Sequence, residues 1–241
     1  MICKKHQTEF ESTSSEIFLR LGPYFDGYTD CSRCQVEHNE RVFRKNVLEA
    51  RIPPRFVTKA FDAFEVPLAG QQRALNVARD YAEQFSEHLA GGRCLVFCGK
   101  PGTGKTLLAS IIATTLIRAG RRVRYATAIE LVRSLRSAWD KGAIESEADM
   151  LQRIQGFDLL ILDEIGLQYG TDSEVQQLTE VLDLRYQRLR PTLVVSNYPL
   201  DQLGKFLSDR GVDRLRDNGG QVVIFDWPSR RGQKTAALSC G

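Results

Sequence analysis

Apolar positions recur along this chain with two different periods, and together they predict alternating helices and strands. From Gln35 to Ala50, Val36, Val42-Phe43 and Val47-Leu48 fall at helical spacing in a charged segment, so a basic amphipathic helix is expected. Ile52-Pro53-Pro54 ends it, because the residue before a proline is pushed out of helical conformation, and a domain boundary is expected there, dividing the chain into 1–50 and 51–241. A second helix, Gln71 to Leu89, aligns Leu75, Ala78, Tyr81-Ala82, Phe85 and Leu89, and Gly91-Gly92 stops it. Short apolar runs then read as strands: Cys94 to Cys98, Val123 to Ala126, Asp158 to Glu164, Thr192 to Asn197 and Val222 to Phe225. Helical segments separate them. One follows Leu107 and ends at Gly120, one runs from Ala128 to Trp139 behind a Thr127 cap, and one from about Glu145 to Gln155. Another runs from Glu174 to Leu189 behind an Asp172-Ser173 cap and stops at Pro191, and a short piece carries Arg210, Arg214 and Arg216. No internal repeat or low-complexity tract interrupts the order.

Composition changes this picture little: 241 residues, 42% hydrophobic and 26% charged, suit one soluble α/β domain with an appendage. A net charge of +3 is too small to argue for nucleic acid by itself. Between Arg41 and Lys59, however, Arg41, Arg44, Lys45, Arg51, Arg55 and Lys59 stand against Glu49 alone, which suits either a solvated face or a nucleic-acid contact. No apolar run approaches membrane-spanning length and the N-terminus lacks a signal-peptide core. The expectation is therefore a cytoplasmic chain with no membrane partner, where paired cysteines more often mean metal than disulfide.

Two such pairings precede the first helix. Cys3-x-x-His6 and Cys31-x-x-Cys34 supply four soft or borderline ligands, enough to close a tetrahedral structural Zn²⁺ site. His38 could replace His6, but its spacing fits no such knuckle. Too little apolar material lies between the pairs for an independent core, and a segment of that size needs a staple.

The chemistry centres on GKPGTGKT, residues 99–106, directly after the first strand. The spacing is that of a P-loop, in which glycines let successive backbone N–H groups curl around a phosphate chain at a helix N-terminus. Gly99, Pro101, Gly102, Thr103, Gly104, Lys105, Thr106 and Leu107 are the expected nucleotide-binding residues. Lys105 would reach the β- and γ-phosphates, and the Thr106 hydroxyl would ligate Mg²⁺. The third strand ends in Asp163-Glu164, so Asp163 can hold the Mg²⁺ shell while Glu164 polarises the attacking water. Asn197, at the tip of the fourth strand, lies where open α/β sheets bind ligands and can orient that water or sense the γ-phosphate.

These pieces resemble the AAA+ ATPases, and within them the bacterial and prophage helicase loaders of the DnaC type. The likeness rests on GKPGTGKT, on LLILDEIG at 159–166, on VVSN at 194–197, on SDRGVDRLRD at 208–217 and on VIFDWPSRR at 223–231. It covers about Ile52 to Arg231. IstB-type transposition helper ATPases share most of these pieces. The resemblance implies a parallel five-stranded sheet in 5-1-4-3-2 order behind a small zinc-binding and helical segment. It further implies ATP or ADP between neighbouring subunits of an ATP-dependent homo-oligomer, Arg210 or Arg214 as a finger on the next subunit's nucleotide, and Arg231 at the sensor 2 position. In such loaders the helices before the acidic strand contribute to single-stranded DNA binding; here that region offers Arg133, Arg136, Trp139 and Lys141, cations with an aromatic for base stacking. The implied function is slow, switch-type ATP hydrolysis that delivers a hexameric DnaB-type replicative helicase onto single-stranded DNA. An IstB-like protein acting on duplex DNA and a P-loop kinase are the rivals; Glu164 as a water-activating carboxylate argues against the kinase.

Overall fold

The computed structural model describes residues 5–9, 31–138, 145–168 and 170–230. The chain separates into two compact units, Met1–Glu49 and Ala50–Gly241.

In the first unit the helix begins earlier than its apolar spacing predicts: α1 is Ser32–Ala50. Its cations meet carboxylates one turn away, Arg44 with Glu40 and Lys45 with Glu49, as on a solvated helical face.

The second unit is a five-stranded parallel sheet. Its strands are β1 (Leu95–Gly99), β2 (Val123–Thr127), β3 (Leu159–Ile165), β4 (Thr192–Ser196) and β5 (Gln221–Phe225). They lie in the order β2-β3-β4-β1-β5, the 5-1-4-3-2 order read from its other edge. Among the described residues seven further α-helices connect or precede them: α2 (Ala69–Glu83), α3 (Phe85–Gly91), α4 (Lys105–Arg118), α5 (Ala128–Ser137), α6 (Glu147–Gln155), α7 (Asp172–Gln187) and α8 (Gly204–Arg216). Alternate strand residues explain why the runs are apolar throughout. Val96, Cys98, Leu160, Leu162 and Val194 enter a core with apolar residues of α5 to α8. The intervening Leu95, Phe97, Leu159, Ile161, Leu193 and Val195 are equally buried, and α4 packs across β2, β3 and β4 on its own side. A sheet covered on both faces has no polar side.

Two local expectations are corrected. The helix expected over Gln71 to Leu89 breaks at Gln84 (φ −95°, ψ 20°) into α2 and α3, although its apolar face continues through Tyr81 and Phe85. The cap of α7 is Thr171, not Asp172 or Ser173: its side chain accepts from Glu174 N while Glu174 reaches back to the Thr171 N–H, a reciprocal capping box. The helix carrying Arg210 and Arg214 is kinked at Ser208 (φ 57°).

Parallel register brings the strand ends to one edge. Gly99 pairs with Phe225, Thr127 with Asp163, and Ile165 with Ser196.

Candidate functional site

That edge carries a cleft of about 290 Å³, lined by residues 102–107, Asp163, Glu164, Val195, Ser196, Asn197, Arg230 and a short stretch of residues from Arg55 to Phe64. The loop beneath it is shaped by its glycines. Gly99 has φ 122°, and a Cβ there would lie 2.4 Å from the Phe225 carbonyl oxygen. Gly104 has φ 98°, and a Cβ there would lie 2.6 Å from the Phe64 ring. Both positions demand glycine, and α4 starts immediately after the second, its N-terminus pointing partial positive charge at the cleft. Hydrogen bonds hold the loop from several sides. Thr103 Oγ1 donates to Lys100 O (2.8 Å), Trp227 Nε1 to Thr103 O (3.0 Å) and Arg230 N to Gly102 O (3.0 Å). Lys105 is buried, with Nζ donating to Gly99 O (2.8 Å) and Lys100 O (2.6 Å). Gly99 and Pro101 are outside the cleft lining; Gly99 contributes through that carbonyl.

On a regular strand Asp163 and Glu164 would face opposite sides of the sheet. Here the β3–β4 pairing slips between Leu162 and Ile165, and Glu164 takes φ 60°. This bulge lets both carboxylates line the same cleft, Asp163 buried and Glu164 exposed. A left-handed conformation at a non-glycine residue costs on the order of 1–3 kcal/mol, so packing around β3 must hold it. Asp163 is itself fixed: Oδ1 accepts from Glu164 N (2.7 Å) and Oδ2 from the Tyr125 phenol. Burial, then the charge of Asp163, push the Tyr125 pKa well upward, which keeps the phenol a donor. Thr106 and Asp163 thus present a hydroxyl and a carboxylate to one cleft, hard oxygen donors that suit Mg²⁺. Asn197 is exposed at its rim.

Arg210 and Arg214 lie elsewhere, on α8 over α7. Asp183 accepts from both: Arg210 through Nε (3.1 Å) and Nη2 (2.7 Å), Arg214 through Nε (3.3 Å). Arg214 also stacks on Tyr186, 4.2 Å from its ring centre. Arg133 is exposed on α5, whereas Arg136 approaches buried Glu174 at 3.6 Å. Trp139, Lys141, Arg231 and Cys3 lie outside the described residues.

The pattern of motifs singles out the P-loop and the acid pair, but not Tyr125, Arg55, Phe64 or Arg230. Arg55, Phe64 and Arg230 line the cleft through chain closure, and Tyr125 reaches Asp163 through strand register; neither leaves a local signal. Arg230 also pairs with Glu65 (3.0 Å).

In the first unit His6, Cys31 and Cys34 converge, their ligand atoms all within 4.8 Å of one another. His6 Nδ1 is 3.3 Å from Cys34 Sγ and 3.7 Å from Cys31 Sγ, close to the roughly 3.6 Å edge of a tetrahedral zinc site with ordinary Zn–S and Zn–N bonds. Its other nitrogen faces Glu37 Oε1 at 3.0 Å, the carboxylate contact that orients metal-ligating histidines. His38 is instead 3.3 Å from Arg41.

A P-loop after the first strand, an acid pair ending the third and a polar tip on the fourth, in a parallel sheet of this order, define the class as the AAA+ ATPases. Residues 32–218 match the IstB-like ATP binding protein model, and the chain belongs to that family. It is 33% identical over 199 residues to the replicative helicase loader DnaC of Escherichia coli (strain K12), covering 83% of this chain and 80% of the relative. A crystal structure of the DnaC helicase loader matches with TM-score 0.64 at 22% identity, over 72% of this chain and 100% of that one. A crystal structure of DnaI matches with TM-score 0.61 at 21% identity, over 75% and 95%. At those identities the two structures speak for the fold.

Proposed function

We propose that this protein is an ATP-dependent loader that delivers a DnaB-type hexameric replicative helicase onto single-stranded DNA as replication initiates. The observation that carries the reading is the 33% identity to a replicative helicase loader across four-fifths of both chains; the complete P-loop and acid pair in one cleft agree with it.

The residues then take the following parts. Lys105 and the N–H groups at the start of α4 bind the triphosphate. Thr106 and Asp163 would hold Mg²⁺, which when bound neutralises phosphate charge and aligns the γ-phosphoryl group. Glu164, exposed beside Asp163, accepts the proton of the attacking water, and Asn197 orients that water. Arg230 lines the cleft and its N–H donates to Gly102 O; Arg231, next in sequence, is the cation the resemblance puts at the sensor 2 position, where it answers phosphate charge. One arginine of α8 acts on the nucleotide of a neighbouring subunit, so hydrolysis is slow until an ATP-dependent homo-oligomer forms and serves as a release switch. Arg133, Arg136, Trp139 and Lys141 contact single-stranded DNA, the aromatic by stacking; Arg136 must then leave Glu174.

Cys3, His6, Cys31 and Cys34 hold a structural Zn²⁺ that staples the N-terminal unit, which grips the helicase. About one zinc per chain is expected in metal analysis of reduced protein; a zinc-free, folded N-terminal unit would remove this part. Among the described residues no helix is long and apolar enough to cross a membrane, in keeping with a cytoplasmic site of action.

The test is co-purification with a hexameric replicative helicase, with and without ATP, and ATPase stimulation by DNA. The loader reading expects ATP-dependent capture of the helicase and stimulation by single strands. Stimulation by duplex alone, with no helicase bound, would favour a transposition helper of the IstB kind.

A further inference from the structure

We propose that Tyr125 is a positioning residue of the nucleotide site: its phenol fixes the Asp163 carboxylate in the orientation in which that carboxylate serves the divalent cation accompanying the nucleotide. The inference rests on the assignment of Asp163 to that cation, and goes beyond it by assigning a residue on a different strand.

The geometry carries it. β2 is the edge strand beside β3, with Tyr125 paired to Ile161 and Thr127 to Asp163. Tyr125 is thus one diagonal step from Asp163, a span that an aromatic side chain can bridge. Its hydroxyl donates to Asp163 Oδ2 while Glu164 N donates to Oδ1 at 2.7 Å. With a donor on each oxygen, the plane of the carboxylate is set before any ligand arrives. Both residues are 4% exposed, so water does not readily replace either partner. An aliphatic residue would fill the edge-strand position as well; what tyrosine adds is the donor. Supporting bonds of this kind around metal ligands are worth about 10–100-fold in metal affinity.

The experiment uses the full chain and a non-hydrolysable ATP analogue, with binding measured calorimetrically while Mg²⁺ is titrated and again in excess EDTA. Phe in place of Tyr125 keeps the ring volume and removes only the donor. Tyr125→Phe is expected to raise the Mg²⁺ midpoint about 10-fold and leave EDTA binding unchanged, while the lost buried donor lowers the thermal midpoint by a few degrees. Asp163→Asn should raise the midpoint further, and adding Tyr125→Phe to it should change nothing more. A wild-type midpoint in Tyr125→Phe, an equal loss in EDTA, or additivity in the double variant would overturn the positioning role. If Asp163→Asn itself leaves the midpoint unmoved, the assignment of Asp163 falls instead, and the inference with it.

Discussion

The nucleotide cleft and the arginine face of α7 and α8 are built in opposite ways. In the cleft, polar groups are buried and tied to backbone or to another buried side chain: Lys105 to two loop carbonyls, Thr103 to the Lys100 carbonyl, Asp163 to the Tyr125 phenol and Glu164 N. On the arginine face, two cations share one carboxylate, Asp183, and Arg210 is 62% exposed. An exposed ion pair of that kind contributes about 0–1 kcal/mol, so Arg210 can leave Asp183 at little cost. Among the described residues the cleft has its phosphate-binding loop and acids but neither Arg210 nor Arg214 in its lining. The cleft is preorganised and Arg210 is held loosely, as the proposed division of the site between two subunits requires: a rigid receptor and a movable donor.

The comparison breaks most completely at Lys105. Lys105→Ala removes the buried ammonium from the loop, and ATP affinity in an equilibrium binding assay is expected to fall about 100-fold or more, since charge-assisted bonds to phosphate are the strong ones. Glu164→Gln acts on chemistry alone. Its amide cannot accept the water's proton, so turnover should drop about 100-fold or more while nucleotide affinity stays within about twofold, read by the same binding assay beside a phosphate-release assay. Arg214 sharpens the contrast from the other side. Held by Asp183 and by the Tyr186 ring, whose hydroxyl donates to Asp217 at 2.5 Å, it has the more structural surroundings of the two arginines. Arg214→Ala should cost about 1 kcal/mol, seen as a fall of about 2–4 °C in Tm, whereas Arg210→Ala should leave Tm unchanged.

Much of the cleft was legible because its residues are adjacent in sequence. The P-loop is one continuous stretch whose glycines state their own backbone requirement, and the acid pair ends an apolar run. What escaped depends on neighbours that only folding supplies. Asp163-Glu164 reads as two facing carboxylates, yet they share a cleft only because β3 bulges at Glu164. Tyr125 looks like an ordinary strand residue until register sets it diagonal to Asp163. Arg55, Phe64 and Arg230 meet across the cleft from opposite ends of the ATPase unit. Other differences between pattern and structure are local. Thr171-x-x-Glu174 is a capping box in plain sequence, while the break at Gln84 is hidden because α2 and α3 carry one continuous apolar periodicity across it.

The proposed division of the site between subunits is tested most directly by mixing two inactive proteins. Arg210→Ala keeps an intact P-loop and should bind ATP normally but not hydrolyse it; Lys105→Ala keeps an intact arginine and should not bind. In a mixed assembly on single-stranded DNA, an intact Arg210 can meet an intact P-loop, so phosphate release should reappear with a maximum near equal proportions. No recovery at any ratio, or full hydrolysis by Arg210→Ala alone, would contradict the account.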